Sequence, residues 1–441
     1  MRQTTILLLL SAAALSGLSS AEPRSDGRAG SSKVILISID GLRPEFYLDP
    51  SYEAPFLQQL VRQGASAKGV MPIYPSVTYA NHATLLTGVR SARHGILSNE
   101  IFSQDTGPTD QWYWESRHFK SLTLLQAARE THKTTAIMSW PGSVGAQVDW
   151  LVPEVFPPEW DKSATEWEVT RRNTRKELIG ELTPGNVDPK DFTDAAIRDQ
   201  WMVHSARFVL ANYRPDLLLL HIMNVDRVQH AFGREAPESR LALKEADQLI
   251  ARLFESVDRK STTVVITGDH GFADFDKKIN INTLFAKKGW INHKNNKLSS
   301  WKVMAAISGG QATVYSKDRE LESLIVPYLE SQARGRFRII SRKELDEHEA
   351  FPDAVCAIEP AEGYSMGSLI DGPLVSKLPR VQGQHGFLPT RKGMPSGMIA
   401  VGPGISPHDL GNVRLLDIAP TLAQILGIAL PSAEGKPINL K

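Results

Sequence analysis

The sequence predicts an α/β fold in which helices cover both faces of a mostly parallel central sheet. The first observation is a set of four apolar runs, at 34–39, 134–138, 216–225 and 262–266. Because these runs are continuous rather than alternating, they indicate strands that are buried on both faces. The second observation is that predicted helices lie between the runs. Strand and helix therefore alternate, as they do in open, doubly wound sheets.

The helices are predicted from apolar spacing and from residues that favour helix ends. The stretches 122–129 and 241–258 carry apolar residues three and four positions apart, and 54–63 ends at a glycine. A further helix is predicted between Pro75 and Gly88, because proline and small polar residues are typical of a helix N-terminus. A last amphipathic helix starts near Asp417.

Length, charge and cysteine usage restrict the class of protein. The 441 residues are enough for a large core, and 50 basic residues balance 49 acidic ones. This balance argues against binding to nucleic-acid duplexes and against attraction to anionic membranes. The single cysteine, Cys356, excludes an intramolecular disulfide framework and a zinc site built from Cys-x-x-Cys pairs.

The N-terminus resembles a secretory signal peptide. Arg2 precedes an uncharged stretch at 4–18, and small residues lead to a cleavage site near Ala21. The alternative, a membrane anchor, is less well supported because a spanning helix needs about 20 apolar residues. We therefore expect a signal peptide at 1–21, a linker at 22–32 and a secreted or periplasmic protein without a membrane anchor. The oligomeric state is left open.

Acidic residues follow three of the predicted strands. Asp40 follows the first run, Asp226 the third and Asp269 the fourth. Ligands of such sheets bind beyond the carboxyl ends of the strands, so these aspartates are expected at one edge. Each of them alone could equally end a strand or cap a helix.

Histidines accompany two of these aspartates. His230 is one helical turn after Asp226, and His270 is adjacent to Asp269 in a glycine-flanked turn. His385 lies between glycines in a separate motif. Oxygen and nitrogen ligands without thiolate suit zinc best, and other divalent metals less well. The remaining histidines, including His82, His94 and His221, are predicted to be structural.

Thr78 is the candidate nucleophile. It follows Pro75 at the start of a predicted helix, where free N–H groups and the helix dipole favour a phosphate. A metal near its hydroxyl would lower the hydroxyl pKa and activate it. Without the metal motifs, Thr78 would be interpreted as a residue that only caps the helix.

Several motifs together resemble one enzyme family. In chain order they are Ile39-Asp40-Gly41, Pro75-Ser76-Val77-Thr78-Tyr79-Ala80-Asn81-His82, Arg93-His94-Gly95-Ile96-Leu97-Ser98-Asn99, Trp140-Pro141-Gly142-Ser143, Asp226-x3-His230, Gly268-Asp269-His270-Gly271 and Gly383-Gln384-His385-Gly386-Phe387. This combination resembles the nucleotide pyrophosphatase/phosphodiesterase family of the alkaline phosphatase superfamily. The resemblance spans about residues 33–431 and implies an alkaline-phosphatase-like three-layer fold. It also implies a catalytic domain at 33–441 with a small α+β cap inserted at about 275–380.

The resemblance implies a two-zinc phosphodiesterase or pyrophosphatase. One zinc ion would be held by Asp226, His230 and His385, and the other by Asp40, Asp269 and His270 together with Thr78. Thr78 would form a phospho-threonine intermediate, and the Asn99 amide would donate to a phosphate oxygen. Tyr79 falls where the family stacks an aromatic ring on a nucleobase, although packing explains it equally well. Phe156 or Trp160 would face it. A nucleotide-type substrate is therefore expected.

Alternatives within the superfamily and outside it remain. Cys356 lies outside a sulfatase motif, which excludes that relative. The segment 139–143 lacks the basic residues expected in a phosphomonoesterase, so a diesterase is favoured, while a phosphonate hydrolase stays possible. An inactive metal-bound binding protein is the alternative of a different class. The chain also departs from the family at Gln229, where glycine often precedes the motif's histidine.

Overall fold

The computed structural model describes residues 32–157, 164–182 and 189–441. The predicted signal peptide, the linker up to Ser31 and Trp160 lie outside the described residues. Among the described residues, no helix combines the length and apolarity needed to cross a membrane.

The strands are numbered in chain order, and their bounds are β1 (Lys33–Ile39), β2 (Ala65–Ser66), β3 (Gly69–Met71), β4 (Glu100–Ser103), β5 (Gly107–Trp112), β6 (Thr135–Trp140), β7 (Trp150–Pro153), β8 (Leu217–Ile222), β9 (Thr262–Thr267), β10 (Ala273–Ile279), β11 (Ile291–Lys294), β12 (Lys297–Trp301), β13 (Val303–Ser308), β14 (Gln311–Ser316), β15 (Phe337–Ile340), β16 (Cys356–Pro360), β17 (Gly363–Met366), β18 (Val375–Gln384), β19 (Met398–Val401), β20 (His408–Asp409) and β21 (Asn412–Arg414).

The α-helices are α1 (Glu45–Leu48), α2 (Pro55–Val61), α3 (Thr78–Thr87), α4 (Ser91–His94), α5 (Leu124–Glu130), α6 (Glu166–Asn173), α7 (Lys176–Leu182), α8 (Ala195–Asn212), α9 (Asn224–Phe232), α10 (Pro237–Phe254), α11 (Asn282–Lys287), α12 (Arg319–Ala333), α13 (Arg342–Glu347) and α14 (Ile418–Leu426). Short 3-10 helices are found at Ser116–His118, Pro189–Thr193 and Leu415–Asp417.

The largest sheet confirms the predicted fold class. Within the described residues it has eight strands in the order β20-β2-β19-β9-β1-β8-β6-β7. Strands β9, β1, β8, β6 and β7 run parallel to one another, and β19 is antiparallel to both β9 and β2. Strands β1, β6, β8 and β9 correspond to the four apolar runs, so continuous apolarity correctly predicted the parallel core.

The two faces of this sheet are buried in separate apolar clusters. In β1, Ile35 and Ile37 join one cluster while Val34 and Leu36 join the other. Helices α2, α8 and α10 contribute to the first cluster, and α3, α5 and α14 contribute to the second. Because successive side chains of a strand point to opposite faces, both sets of positions must be apolar. This arrangement is the three-layer architecture that the sequence predicts.

A second region has its own sheet and its own core. Strands β13, β14, β16 and β15 form an antiparallel sheet, and residues of α11, α12 and α13 pack in the same apolar cluster. These elements lie within the stretch predicted as an α+β cap at about 275–380. Tyr74 and Leu388 of the flanking chain pack into this cluster as well.

The predicted helices form, with shifted ends. The helix at 241–258 begins earlier, at Pro237, because proline suits the first helical turn. The helix between Pro75 and Gly88 starts at Thr78, and Gly88 ends it with φ 67°, in the left-handed region that favours glycine.

Candidate active site

Three neighbouring strands bring the predicted aspartates to one edge of the large sheet. Asp40 directly follows β1, and Asp269 lies just beyond β9. Asp226 is in the first turn of α9, the helix that follows β8. Since β9, β1 and β8 are adjacent and parallel, their carboxyl ends meet, and the three carboxylates converge.

The first half-site consists of Asp226, His230 and His385. Asp226 Oδ1 lies 3.4 Å from His230 Nε2 and 3.7 Å from His385 Nε2. Nδ1 of His230 lies 3.0 Å from the carbonyl of Gly383, and Nδ1 of His385 lies 3.0 Å from that of Ser76. A carbonyl oxygen only accepts hydrogen bonds, so Nδ1 of each histidine must carry the proton. In the neutral imidazole, Nε2 is then unprotonated and can bind a metal.

The second half-site consists of Asp40, Asp269 and His270, with Thr78 beside them. His270 Nε2 lies 3.3 Å from Asp40 Oδ1 and 3.1 Å from Asp269 Oδ2. The Thr78 hydroxyl oxygen is 3.3 Å from the same nitrogen. Asp269 also accepts a hydrogen bond from the N–H of Gly41, at 3.2 Å. The six predicted ligands and the predicted nucleophile are therefore brought together.

The donor set fits divalent metals. Asp226, His230 and His385 form one group with ligand atoms within 4.8 Å of one another, and Asp40, Asp226 and His270 form another. Buried carboxylate atoms of Asp40, Asp226 and Asp269 have no hydrogen-bond partner among the described residues. Unpaired buried carboxylate oxygens are costly, and a bound cation would compensate them.

When no metal is present, burial keeps the imidazoles of His270 and His385 neutral and favours protons on two carboxylates. Burial also acts to lower the pKa of His230, but the neighbouring Asp226 carboxylate outweighs it and raises that pKa. Burial lowers the pKa of His385 to about 4, and it lowers the pKa of His270 well below its ordinary value. It raises the pKa of Asp40 and takes that of Asp269 to about 7. Metal ligands must be deprotonated, so metal and proton compete at these carboxylates.

We therefore expect the affinity of the second half-site for a divalent metal ion to fall as pH drops below about 7. Asp269 carries a proton below its pKa of about 7, and the metal ion must displace that proton in order to bind. Each proton displaced in this way lowers the metal affinity by up to about tenfold for every pH unit below the pKa. Competition with a chromophoric chelator at pH 6 and pH 8 measures the effect. Equal affinities at the two pH values would contradict the expectation.

The Asn99 side chain lies against the start of α3. Asn99 Oδ1 accepts a hydrogen bond from the backbone N–H of Tyr79, at 2.9 Å. This contact fixes the amide so that its NH₂ group remains available as a donor. Thr78 is the first residue of α3, in the turn where the helix dipole favours an anion.

His221 and Glu154 lie behind the second half-site and were not among the predicted site residues. His221 was predicted to be structural, yet its Nε2 lies 3.2 Å from Asp40 Oδ2. Its Nδ1 lies 2.7 Å from Glu154 Oε2, and all three side chains are buried. A polar residue inside the apolar β8 was the available signal for His221, whereas Glu154 had none.

The predicted base-stacking residue is covered by other aromatic residues. The Tyr79 side chain is 2% exposed, and Trp112 packs edge-on against it with ring centroids 5.4 Å apart. Phe156 lies 6.2 Å from Trp112, which places it in the same aromatic group. The packing interpretation of Tyr79 describes this arrangement, and base stacking by Tyr79 stays a prediction.

Comparisons with known proteins show what the chain is similar to. The sequence profile described as type I phosphodiesterase / nucleotide pyrophosphatase matches residues 34–388. An uncharacterized pyrophosphatase/phosphodiesterase of Schizosaccharomyces pombe is 25% identical over 281 residues, covering 59% of this chain and 50% of the relative. Human ectonucleotide pyrophosphatase/phosphodiesterase family member 7 is 24% identical over 290 residues, covering 63% and 56%. The chain thus spans about half the length of these two relatives.

A longer alignment and two solved structures extend the similarity. Human bis(5'-adenosyl)-triphosphatase ENPP4 is 22% identical over 413 residues, covering 90% of this chain and 78% of the relative. Human ectonucleotide pyrophosphatase/phosphodiesterase 5 superposes with a TM-score of 0.64 at 16% identity, covering 93% and 97%. An inactive variant of the murine protein in complex with AMP gives a TM-score of 0.66 at 15% identity, covering 92% and 97%. These structures confirm the alkaline-phosphatase-like fold.

Proposed function

We propose that this chain, which belongs to the type I phosphodiesterase / nucleotide pyrophosphatase family, hydrolyses nucleotide-type phosphodiester or phosphoanhydride bonds through Thr78. The observation that carries the proposal is the position of the Thr78 hydroxyl. It lies 3.3 Å from His270 Nε2, at the N-terminus of α3 and beside the two groups of side chains that could hold a metal ion. A hydroxyl nucleophile, an anion-binding helix end and a cluster of metal ligands together suit phosphoryl transfer.

We propose that two zinc ions complete the site. Asp226, His230 and His385 would hold one of them, and Asp40, Asp269 and His270 the other, with Thr78 near the second. Two such ions would supply positive charge for both the attacking and the leaving oxygen of an in-line displacement. The neutral imidazoles of His270 and His385 and the unpaired carboxylate oxygens described above support this assignment.

In the proposed reaction, Thr78 and water act in two successive displacements. The Thr78 hydroxyl loses its proton, and its oxygen bonds to phosphorus as the bond to the leaving oxygen breaks. The leaving group takes up a proton and departs on the side of His230, whose side chain is 33% exposed. Water then loses a proton as its oxygen bonds to phosphorus, and the Thr78 oxygen leaves phosphorus and takes up a proton. Asn99 donates to a phosphate oxygen in both steps.

A nucleotide substrate is supported by the relatives and by the aromatic group near Thr78. One relative is named a bis(5'-adenosyl)-triphosphatase, and one similar structure contains AMP. Base stacking on an aromatic side chain contributes about 1–3 kcal/mol. Tyr79 and Phe156 would supply such contacts once Trp112 moves from the Tyr79 ring.

The test compares substrates with and without metal. We expect the zinc-loaded protein to hydrolyse a nitrophenyl ester of a nucleoside 5'-monophosphate faster than a choline-type lipid diester. Treatment with a chelator should abolish turnover, and added zinc should restore it. A zinc-replete protein without turnover would instead indicate an inactive metal-bound protein. Preference for a phosphomonoester or a phosphonate would assign the chain to those other activities of the superfamily.

We expect Asn99→Ala to lower kcat by about 10²-fold or more, because one preorganised donor to the developing charge is lost. Asn99→Asp is the sharper variant, since its oxygen still accepts from the N–H of Tyr79 while the donor is removed. Steady-state kinetics on the nucleotide diester measure both. Parent-like kcat in Asn99→Asp would show that the amide does not contact the reacting phosphate.

We also propose the domain organisation that the sequence predicts. Cleavage near Ala21 would release the catalytic domain at 33–441, with a cap at about 275–380, outside the cytoplasm. N-terminal sequencing of protein recovered from the periplasm or the medium tests the cleavage. An intact Met1 in that fraction would contradict it.

A further inference from the structure

Gln229 is the residue at which this chain departs from the family motif. It lies on α9, three residues after Asp226 and directly before His230. Its side chain is fully buried. A glycine at this position would have no side chain to place there, so what the glutamine contacts is a property of this chain.

The Gln229 side chain reaches from the first half-site to the second. Its amide Nε2 donates a hydrogen bond to the carbonyl of Gly41, at 3.1 Å. Gly41 follows Asp40 directly, and its N–H donates to Asp269. The peptide units around Gly41 are therefore held by Gln229 on one side and by a predicted ligand of the second half-site on the other.

The packing around this contact leaves little room for movement. Gly41 has φ 69°, and a Cβ atom there would lie 2.7 Å from the Phe272 ring and 2.9 Å from Gln229 Nε2. On the other side of α9, a Cβ on Gly383 would lie 2.5 Å from the Gln229 carbonyl. Gly383 is the residue whose carbonyl orients His230. Gln229 is thus in close contact with Gly41, which follows Asp40, and with Gly383, whose carbonyl orients His230.

We propose that Gln229 is a positioning residue that couples the two metal half-sites. Its hydrogen bond to Gly41 sets the place of Asp40 relative to α9, which carries Asp226 and His230. Partners of metal ligands typically change metal affinity or activity by about 10–100-fold when they are removed. The inference rests on the proposed function, because it concerns the metal sites that the function requires.

The test measures zinc binding to the metal-free full-length chain. Gln229→Met keeps the length of the side chain and removes the N–H donor, and Gln229→Gly introduces the residue common in the family. We expect each variant to bind the second zinc ion at least about tenfold more weakly than the parent. kcat should fall with little change in KM, because the Gln229 side chain is fully buried and a substrate cannot reach it.

Gln311→Met is the matched control, because Gln311 is also fully buried but lies on β14. It should leave both zinc affinities at the parent values. Thermal unfolding of the metal-free variants shows whether each one folds. If Gln229→Met does not fold, the comparison is made with Gln229→Gly. Parent-like stepwise zinc affinities in a folded Gln229 variant would overturn the inference.

The two proposals fail in different ways. A parent protein that binds two zinc ions but hydrolyses no phosphodiester overturns the proposed function, while the Gln229 comparison still decides the coupling. A parent protein that binds fewer than two zinc ions overturns both. Equal loss of affinity in the Gln229 and Gln311 variants would overturn the coupling alone, because a general loss of packing would then explain it.

Discussion

Thr78→Ala is expected to lower kcat on a nucleotide diester by at least about 10³-fold, because removal of a covalent nucleophile eliminates the intermediate that divides the reaction. The fold should be retained, since the Thr78 side chain contributes a hydroxyl and one methyl group at the first position of α3. The measurement is steady-state turnover, together with a search for covalently bound phosphate after acid quenching.

Thr78→Ser is the matched variant, because it keeps a hydroxyl at the same position. It should retain part of the turnover and still form a phosphorylated residue. Zinc binding by the alanine variant should remain close to that of the parent, since six other side chains would hold the ions. Turnover of Thr78→Ala within tenfold of the parent would remove Thr78 as the nucleophile and leave direct attack by water.

The central sheet could be predicted because its strands are buried on both faces. Continuous apolarity is forced wherever both sides of a strand meet a core, as β1 shows with Ile35 and Val34 in separate clusters. The convergence of Asp40, Asp226 and Asp269 could be predicted for a related reason. Adjacent parallel strands end at the same edge, so residues that follow them meet without any knowledge of side-chain packing.

The surroundings of these ligands could not be predicted in the same way. The contact between His221 and Asp40 depends on the pairing of β8 with β1, and that between His221 and Glu154 depends on where the chain continues after β7. Neither contact produces a period in the sequence. A lone histidine in an apolar strand is compatible with both a core residue and a support for a ligand.

The contact between Trp112 and Tyr79 could not be predicted from the sequence either. Trp112 ends β5, which pairs with β4 in a hairpin whose first strand directly follows Asn99. The hairpin is irregular, with a register shift in β4, and its residues are mostly polar or partly exposed. Such segments have weak periodicity, so the sequence does not place Trp112 against Tyr79.

Asp226→Asn is expected to lower kcat by about 10³-fold or more, and to weaken metal binding at both half-sites. The reason is its position, because Asp226 belongs to both groups of side chains that could hold an ion. Metal stabilisation of transition-state charge is worth several kcal/mol, and about 4 kcal/mol corresponds to a factor of about 10³. Asparagine keeps the size of the side chain while removing the negative charge.

His385→Ala is the comparison that isolates this shared position. His385 belongs to the first group alone, so its loss should weaken one zinc ion and leave the other near parent affinity. Metal analysis after dialysis, with stepwise zinc titration, distinguishes the two patterns. We expect Asp226→Asn to bind zinc more weakly in both steps of the titration, and His385→Ala to bind it more weakly in one step only. If Asp226→Asn weakened one step only, Asp226 would serve a single ion, and its proximity to Asp40 and His270 would reflect only the closeness of the two half-sites.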